Sequence, residues 1–141
     1  MSTQVMEPIA ITGMACRFPG APSLEAFWTL LSEGRDGVVA IPPERWDVEA
    51  YHDPDPKAPG RTTARTGGFL DDVTGFDAAY FGIAPREAAQ MDPQQRILLE
   101  LSCDALEDAG IAPAGLAGSD TAVFVGAMTN DYFRLQLGDA Y

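Results

Sequence analysis

The stretch MDPQQRILLELSCDALEDAG, Met91 to Gly110, carries helix signals at both ends, so a chain holding it must find cover for a wide apolar face. Asp92 suits an N-cap, where its carboxylate accepts from free backbone N–H groups. Pro93 follows at the first helical position, where a missing N–H costs nothing. Gln95 is placed to reach back in a capping box. Gly110 fits the left-handed position just past the end. Ile97, Leu98, Leu101, Ala105 and Ala109 recur at helical spacing. Leu99, Cys103 and Leu106 widen that arc, while Glu100, Asp104, Glu107 and Asp108 gather on another side. A helix of this kind is expected to be covered over most of its circumference. Cys103 lies mid-helix on the apolar arc, away from positive charge. A thiol so placed is a small core residue, not a nucleophile.

Two short apolar runs read as strands. Ile9–Ile11 is β-branched and is followed by Gly13; Val123–Val125 ends at Gly126. Near-continuous apolar runs suit a sheet covered on both faces. A second helix is expected in SLEAFWTLLSEGRDG, with Ser23 as N-cap and Gly34 past its end. Ala26 stands where a capping box would need Glu or Gln. Leu24, Phe27, Trp28, Leu30 and Leu31 supply its apolar face, with Phe27 and Trp28 as core residues. A short helix, PREAAQ, begins at Pro85. Between the helices lies an excursion over about 38–75, rich in Pro, Gly and charge. So long an irregular stretch needs anchors, for which Arg45, Trp46 and Tyr51 are the candidates. Phe76, Tyr80 and Phe81 are expected to pin it to the core. The tail FRLQLGDAY shows no closing element. The pattern strand, helix, excursion, helix, strand is an α/β unit. Two strands cannot form a doubly covered sheet, so further strands must come from elsewhere.

The net charge is −12, and no basic stripe is present to neutralise phosphates. This argues against nucleic acid and against an anionic membrane surface as partners. No apolar stretch approaches a membrane span, and no secretory leader is visible, so a reducing cytoplasm is the expected location. Cys16 and Cys103 form neither a disulfide framework nor a zinc spacing. His52, the sole histidine, sits between Tyr51 and Asp53 in a polar loop that offers no partners for catalysis or metal binding. Asp71 and Asp72 read as a solvated pair. Gly13 and Gly20 do not fit a dinucleotide fingerprint, and neither a phosphate loop nor a nucleophile elbow is present. Arg96 is expected to be buried enough to need a carboxylate or carbonyl partner. The residues alone describe a piece of an α/β domain with no catalytic, cofactor-binding or metal-binding set.

PIAITGMACRFPGA, FWTLLSEGRDGV, IPPERWDVEAYHDPDP, GGFLDDVTGFDAAYFGIAPREAAQMDPQQRILLE and ALEDAG together resemble the N-terminal part of a ketosynthase domain. The nearest likeness is to the β-ketoacyl synthases of modular type I polyketide synthases. It runs from about Glu7 to Tyr132. It implies a thiolase-like fold, an α-β-α-β-α stack of which this chain, 1–141, is one incomplete part. It implies decarboxylative Claisen condensation between an enzyme-bound acyl group and a malonyl-type extender on an acyl carrier protein. That is an acyltransferase chemistry, with substrates carried on phosphopantetheine and no cofactor bound directly. It also implies a homodimer in the complete domain.

The resemblance places the nucleophile at a helix N-terminus, where the dipole favours the thiolate, with two histidines serving decarboxylation and the enolate-like charge. None of the three falls on a residue of this sequence. The family nucleophile belongs to a TACSSS-like motif beyond the second strand. Cys16 matches the GMACRFPG motif, which is not catalytic. Cys103 stands where the family commonly has Trp, a loss of core volume worth about a few kcal/mol unless neighbours refill it. His52 matches neither catalytic histidine. Ala84 stands where Ser or Thr is usual and leaves the PREAAQ helix without a side-chain cap. No coiled-coil docking helix is visible before Met6. The expectation is a chain inactive alone, the alternative being a non-enzymatic module that binds a partner through its unfinished sheet. An unrelated nucleotide-binding α/β protein is a third reading, which the missing phosphate loop disfavours.

Overall fold

A computed structural model describes residues 8–129 and 131–138. The chain divides into two units. One is Cys16–Asp72; the other joins the residues up to Ala15 with those from Val73 onward.

The Cys16–Asp72 unit opens with helix α1, Leu24–Ser32. Ser23 caps it as expected, its Oγ accepting from the Ala26 N–H at 3.3 Å. Gly34 ends it at φ +63°, donating to the Leu31 carbonyl while the Arg35 N–H returns to that of Leu30. That pair of bonds is a Schellman motif, and only Gly takes the positive φ without cost. Phe27 faces inward and meets Phe18 with ring centroids 4.7 Å apart. Trp28 does not; it is 71% exposed, which corrects its reading as a core residue. Phe27 and Trp28 are neighbours about 100° apart on the helix, and the Phe18 side takes only one of them.

The excursion is not structureless. It holds strand β1, Val38–Ala40, paired antiparallel with β2, Thr66–Gly68, so that Val38 faces Gly68 and Ala40 faces Thr66. Between them lies a short helix α2, Val48–Tyr51, capped by Asp47, whose Oδ1 accepts from Glu49 N–H and Ala50 N–H. The anchors Arg45 and Trp46 act as expected, and on one partner. Arg45 lies over the Phe69 ring at 5.9 Å and donates to the Leu70 carbonyl at 2.7 Å, and Trp46 meets Phe69 edge-on at 6.3 Å. Ala21 and Ile41 are the buried apolar residues of this unit.

The second unit holds a short helix α3, Pro85–Ala88, which has no side-chain cap at Ala84. It is organised by α4, Pro93–Asp108. Asp92 Oδ1 accepts from Gln94 N–H at 2.8 Å. At the other end Gly110, φ +67°, donates to Glu107 and Ile111 to Leu106, a second Schellman motif. The helix is less covered than its composition predicts. Among the described residues none of α4 is fully buried, because no second layer closes over the arc. Phe76 and Phe81 stack at 5.2 Å, and Tyr80 meets Phe81 edge-on. Instead of pinning the excursion, these aromatics pack on one another within the unit that resumes at Val73. After a 3₁₀ turn, Pro113–Leu116, comes a helix absent from the sequence reading, α5, Asp131–Leu137. Tyr132 donates its hydroxyl to the Ala89 carbonyl and Gln136 its amide to that of Gln90, so α5 fastens to the end of α3.

Neither expected apolar strand forms. Residues 9–11 and 123–125 carry no ladder, and Ile9, Ile11, Val123 and Phe124 are 97, 79, 82 and 93% exposed. A strand exists only as a pairing, and no described segment offers these runs a partner. The loop after the first run is nonetheless held firmly. A Cβ on Gly13 would come within 2.7 Å of both the backbone nitrogen and the Cβ of Ala109. The Met14 N–H donates to Asp108 Oδ2 at 2.9 Å.

Gly13→Ala is therefore expected to cost about 1–3 kcal/mol through overpacking against α4. Gly115→Ala, with open space around it, should be neutral or slightly stabilising; urea denaturation midpoints of the two variants check the contrast. Ala84→Ser should raise stability by about 1 kcal/mol by capping α3, read as an upward shift in thermal midpoint.

Candidate functional site

Cys103 occupies the middle of α4, half-buried, with a phenol for a neighbour: Tyr80 is hydrogen-bonded to the thiol. The Tyr80 pKa is raised above the ordinary phenol value, first by charge repulsion from Cys103, then by the hydrogen bond from that side chain, with smaller contributions from desolvation and Glu107. Two acids that become anions side by side oppose one another's ionisation. A phenol offers no base to a thiol at neutral pH, and mid-helix the sulfur is far from the positive end of the dipole. Cys16 is a free, half-buried thiol in the other unit.

His52 caps the C-terminus of α2, its N–H donating to the Val48 carbonyl. It forms a parallel bridge with Thr62. Its ring is not simply solvated, as the sequence suggested: Nδ1 lies 3.2 Å from an Nη of Arg65, whose guanidinium also forks onto Glu49 at 3.0 and 3.4 Å. Tyr51 lines, with Trp46, Gly60, Arg61 and Thr62, a cleft of about 400 Å³. A smaller cleft of about 220 Å³ lies between Arg17, Phe18 and the Leu70–Asp72 turn, where Asp71 and Asp72 are exposed.

Arg96 meets the Thr74 carbonyl at 3.3 Å, which is the carbonyl partner its position requires. Its Nε is buried and has no acceptor. Among the described residues no group of three or more His, Cys, Asp or Glu converges as metal ligands, and no helix is long and apolar enough to cross a membrane. The fold does not bring Cys16, His52 and Cys103 together as nucleophile and base. The two side-chain pairs it does assemble, Tyr80 with Cys103 and His52 with Arg65, join residues 23 and 13 apart in the chain. That spacing has no helical or strand periodicity to betray it.

The family profile described as "Beta-ketoacyl synthase, N-terminal domain" matches residues 6–140. The chain is 54% identical over 129 residues to a phenolphthiocerol/phthiocerol polyketide synthase of Mycobacterium tuberculosis, covering 91% of this chain and 8% of that protein. It is 55% identical over 130 residues to the polyketide synthase GfsB of Streptomyces halstedii, covering 91% and 2%. Among solved structures, the oxazolomycin ketosynthase domain OzmH KS7 of Streptomyces albus superposes with a TM-score of 0.71 at 46% identity, covering 77% of this chain and 19% of that one. The module 6 ketosynthase of the Bacillus subtilis bacillaene synthase gives 0.66 at 44% identity, covering 72% and 17%. This chain belongs to the β-ketoacyl synthase family, as the N-terminal domain of a polyketide synthase ketosynthase with its thiolase-like fold. It spans less than a tenth of the synthases it matches and about a fifth of the solved ketosynthases.

The Tyr80–Cys103 pair supplies a direct check. Because the folded pKa of Tyr80 is raised, its contribution to stability is present below the unfolded phenol value and is lost as pH rises through the folded one. Cys103→Ala should move the Tyr80 titration down toward the ordinary value, read from the tyrosine ring carbon signals against Tyr51 and Tyr132.

Proposed function

We propose that this chain is the N-terminal frame of a ketosynthase whose reactive cysteine and two histidines lie outside residues 1–141. Condensation by way of a covalent acyl-enzyme requires a thiolate made available at neutral pH and donors aimed at the enolate-like charge. Cys103 meets neither requirement, since the polar group beside it is a phenol. The reaction is decarboxylative Claisen condensation of an acyl thioester with a malonyl-type extender, an acyltransferase activity of the 3-oxoacyl-[acyl-carrier-protein] synthase type. The substrates ride on the phosphopantetheine of acyl carrier protein, and the complete domain is a homodimer working in the cytoplasm. Residues 1–141 are one part of a single ketosynthase domain, in which the 38–75 excursion is an insertion fastened by its own anchors. The single observation that carries this reading is the family match over 6–140, reinforced by more than half of the residues being identical to polyketide synthases of two genera. The half-covered α4 and the unpaired runs at 9–11 and 123–125 support it, since each has an apolar surface for which a larger domain supplies the neighbour.

The purified 141-residue chain should take up no label from a labelled acyl thioester. Label that is retained on the protein and lost on Cys103→Ala or Cys16→Ala would overturn the assignment of the nucleophile. Conversely, exchanging this chain for the matching segment of the oxazolomycin ketosynthase should preserve acyl loading on the recipient's cysteine, whereas a folded chimera that cannot load would count against the frame itself.

A further inference from the structure

His52 and Arg65 meet at a junction of two backbone pairings. On one side, the Asp53 N–H donates to the Thr62 carbonyl at 3.0 Å and the Thr62 N–H to that of Tyr51 at 2.9 Å. On the other, the Arg65 carbonyl accepts from Ile41 N–H at 3.0 Å, just ahead of the β1–β2 ladder. The His52 Nδ1 to Arg65 Nη distance is 3.2 Å. A guanidinium has donors only and does not lose its proton in a protein. The contact is therefore a hydrogen bond only while Nδ1 carries a lone pair, which assigns the neutral ring's proton to Nε2.

We propose that His52 and Arg65 form a proton-sensitive latch that fastens α2 to the segment leading into β2. Protonation of Nδ1 sets a donor against a donor and a cation against a cation at hydrogen-bond distance. The charges around the ring decide which side yields. Glu49, on α2, forks onto Arg65 and holds it in either state. Asp53, the next residue, is engaged by the Asp55 N–H at 2.8 Å. Asp47 caps the start of α2, and Arg61 donates to the Ala50 carbonyl on the same helix. Arg65 thus stays on Glu49 and the imidazolium leaves. The loss falls on the pairing of residues 51 and 53 with Thr62. Tyr51 and Thr62 are also walls of the 400 Å³ cleft, so the latch sets the width of that cleft.

The test is amide hydrogen exchange of the full 141-residue chain at Asp53 and Thr62, corrected for intrinsic rates, between about pH 8 and about pH 5. Protection in the wild type should fall roughly threefold to tenfold on acidification, and the fall should be absent in His52→Gln, whose amide oxygen accepts from Arg65 at any pH. Equal falls in both proteins, or none in the wild type, overturn the latch. Should the variant not fold, the wild type alone decides: the imidazole nitrogen titration of this sole histidine and the loss of protection at Thr62 must share a midpoint, and separate midpoints overturn the proposal.

Discussion

Much of the second unit hangs on one close approach, the backbone at Gly13 lying against helix α4 with no room for a side chain between them. The contact joins residues more than ninety positions apart, and the Met14 N–H bond to Asp108 locks its register. Its geometry needs α4 to run to Asp108 and then turn away at once, which the Schellman turn at Gly110 ensures. Caps that look like local grammar thus determine where a distant loop can dock. A helix one turn shorter would leave Met14 without its acceptor.

The same unit shows how far a core can be deferred. Only Ala88 among its described residues is buried, while Val123, Phe124 and Met128 stand almost fully in solvent. Apolar area of that extent on a chain of this size marks an interaction surface. Family membership supplies the physical sense: the part matched is about a fifth of a solved ketosynthase, and a layered domain distributes its core over residues far apart in sequence. The chain carries helices whose ends are complete and apolar runs whose edges are not, because helices satisfy their own backbone and strands need another segment to do so.

That difference also explains what is readable in the chain alone. The caps at Ser23 and Asp92, the turns at Gly34 and Gly110, and the anchors Arg45 and Trp46 are legible because each is a local signal or an evident aromatic in a polar stretch. The runs at 9–11 and 123–125 mislead as strands because apolar, β-branched composition reports a preference for pairing and not the presence of a partner. Periodicity puts Trp28 in the core, yet it cannot tell which arc of a helix finds a neighbour. Helix α5 escapes sequence reasoning: DYFRLQL is short, and its hold comes from carbonyls at Ala89 and Gln90 over forty residues away. The family is legible from whole motifs, and so is the lack of a reactive set, since nothing about Cys103 or His52 gives either a catalytic neighbour.

Pro19 meets two glycines of its own unit at once. A Cβ on Gly68 would lie 2.8 Å from its ring Cγ, and one on Gly37 would press on its carbonyl carbon at 3.3 Å. The pyrrolidine is therefore wedged where the entry to β1 and the end of β2 converge, so three positions share one small volume. No single one of them can gain an atom unless another loses one, and in descendants of this chain the trio should change in concert or stand still together.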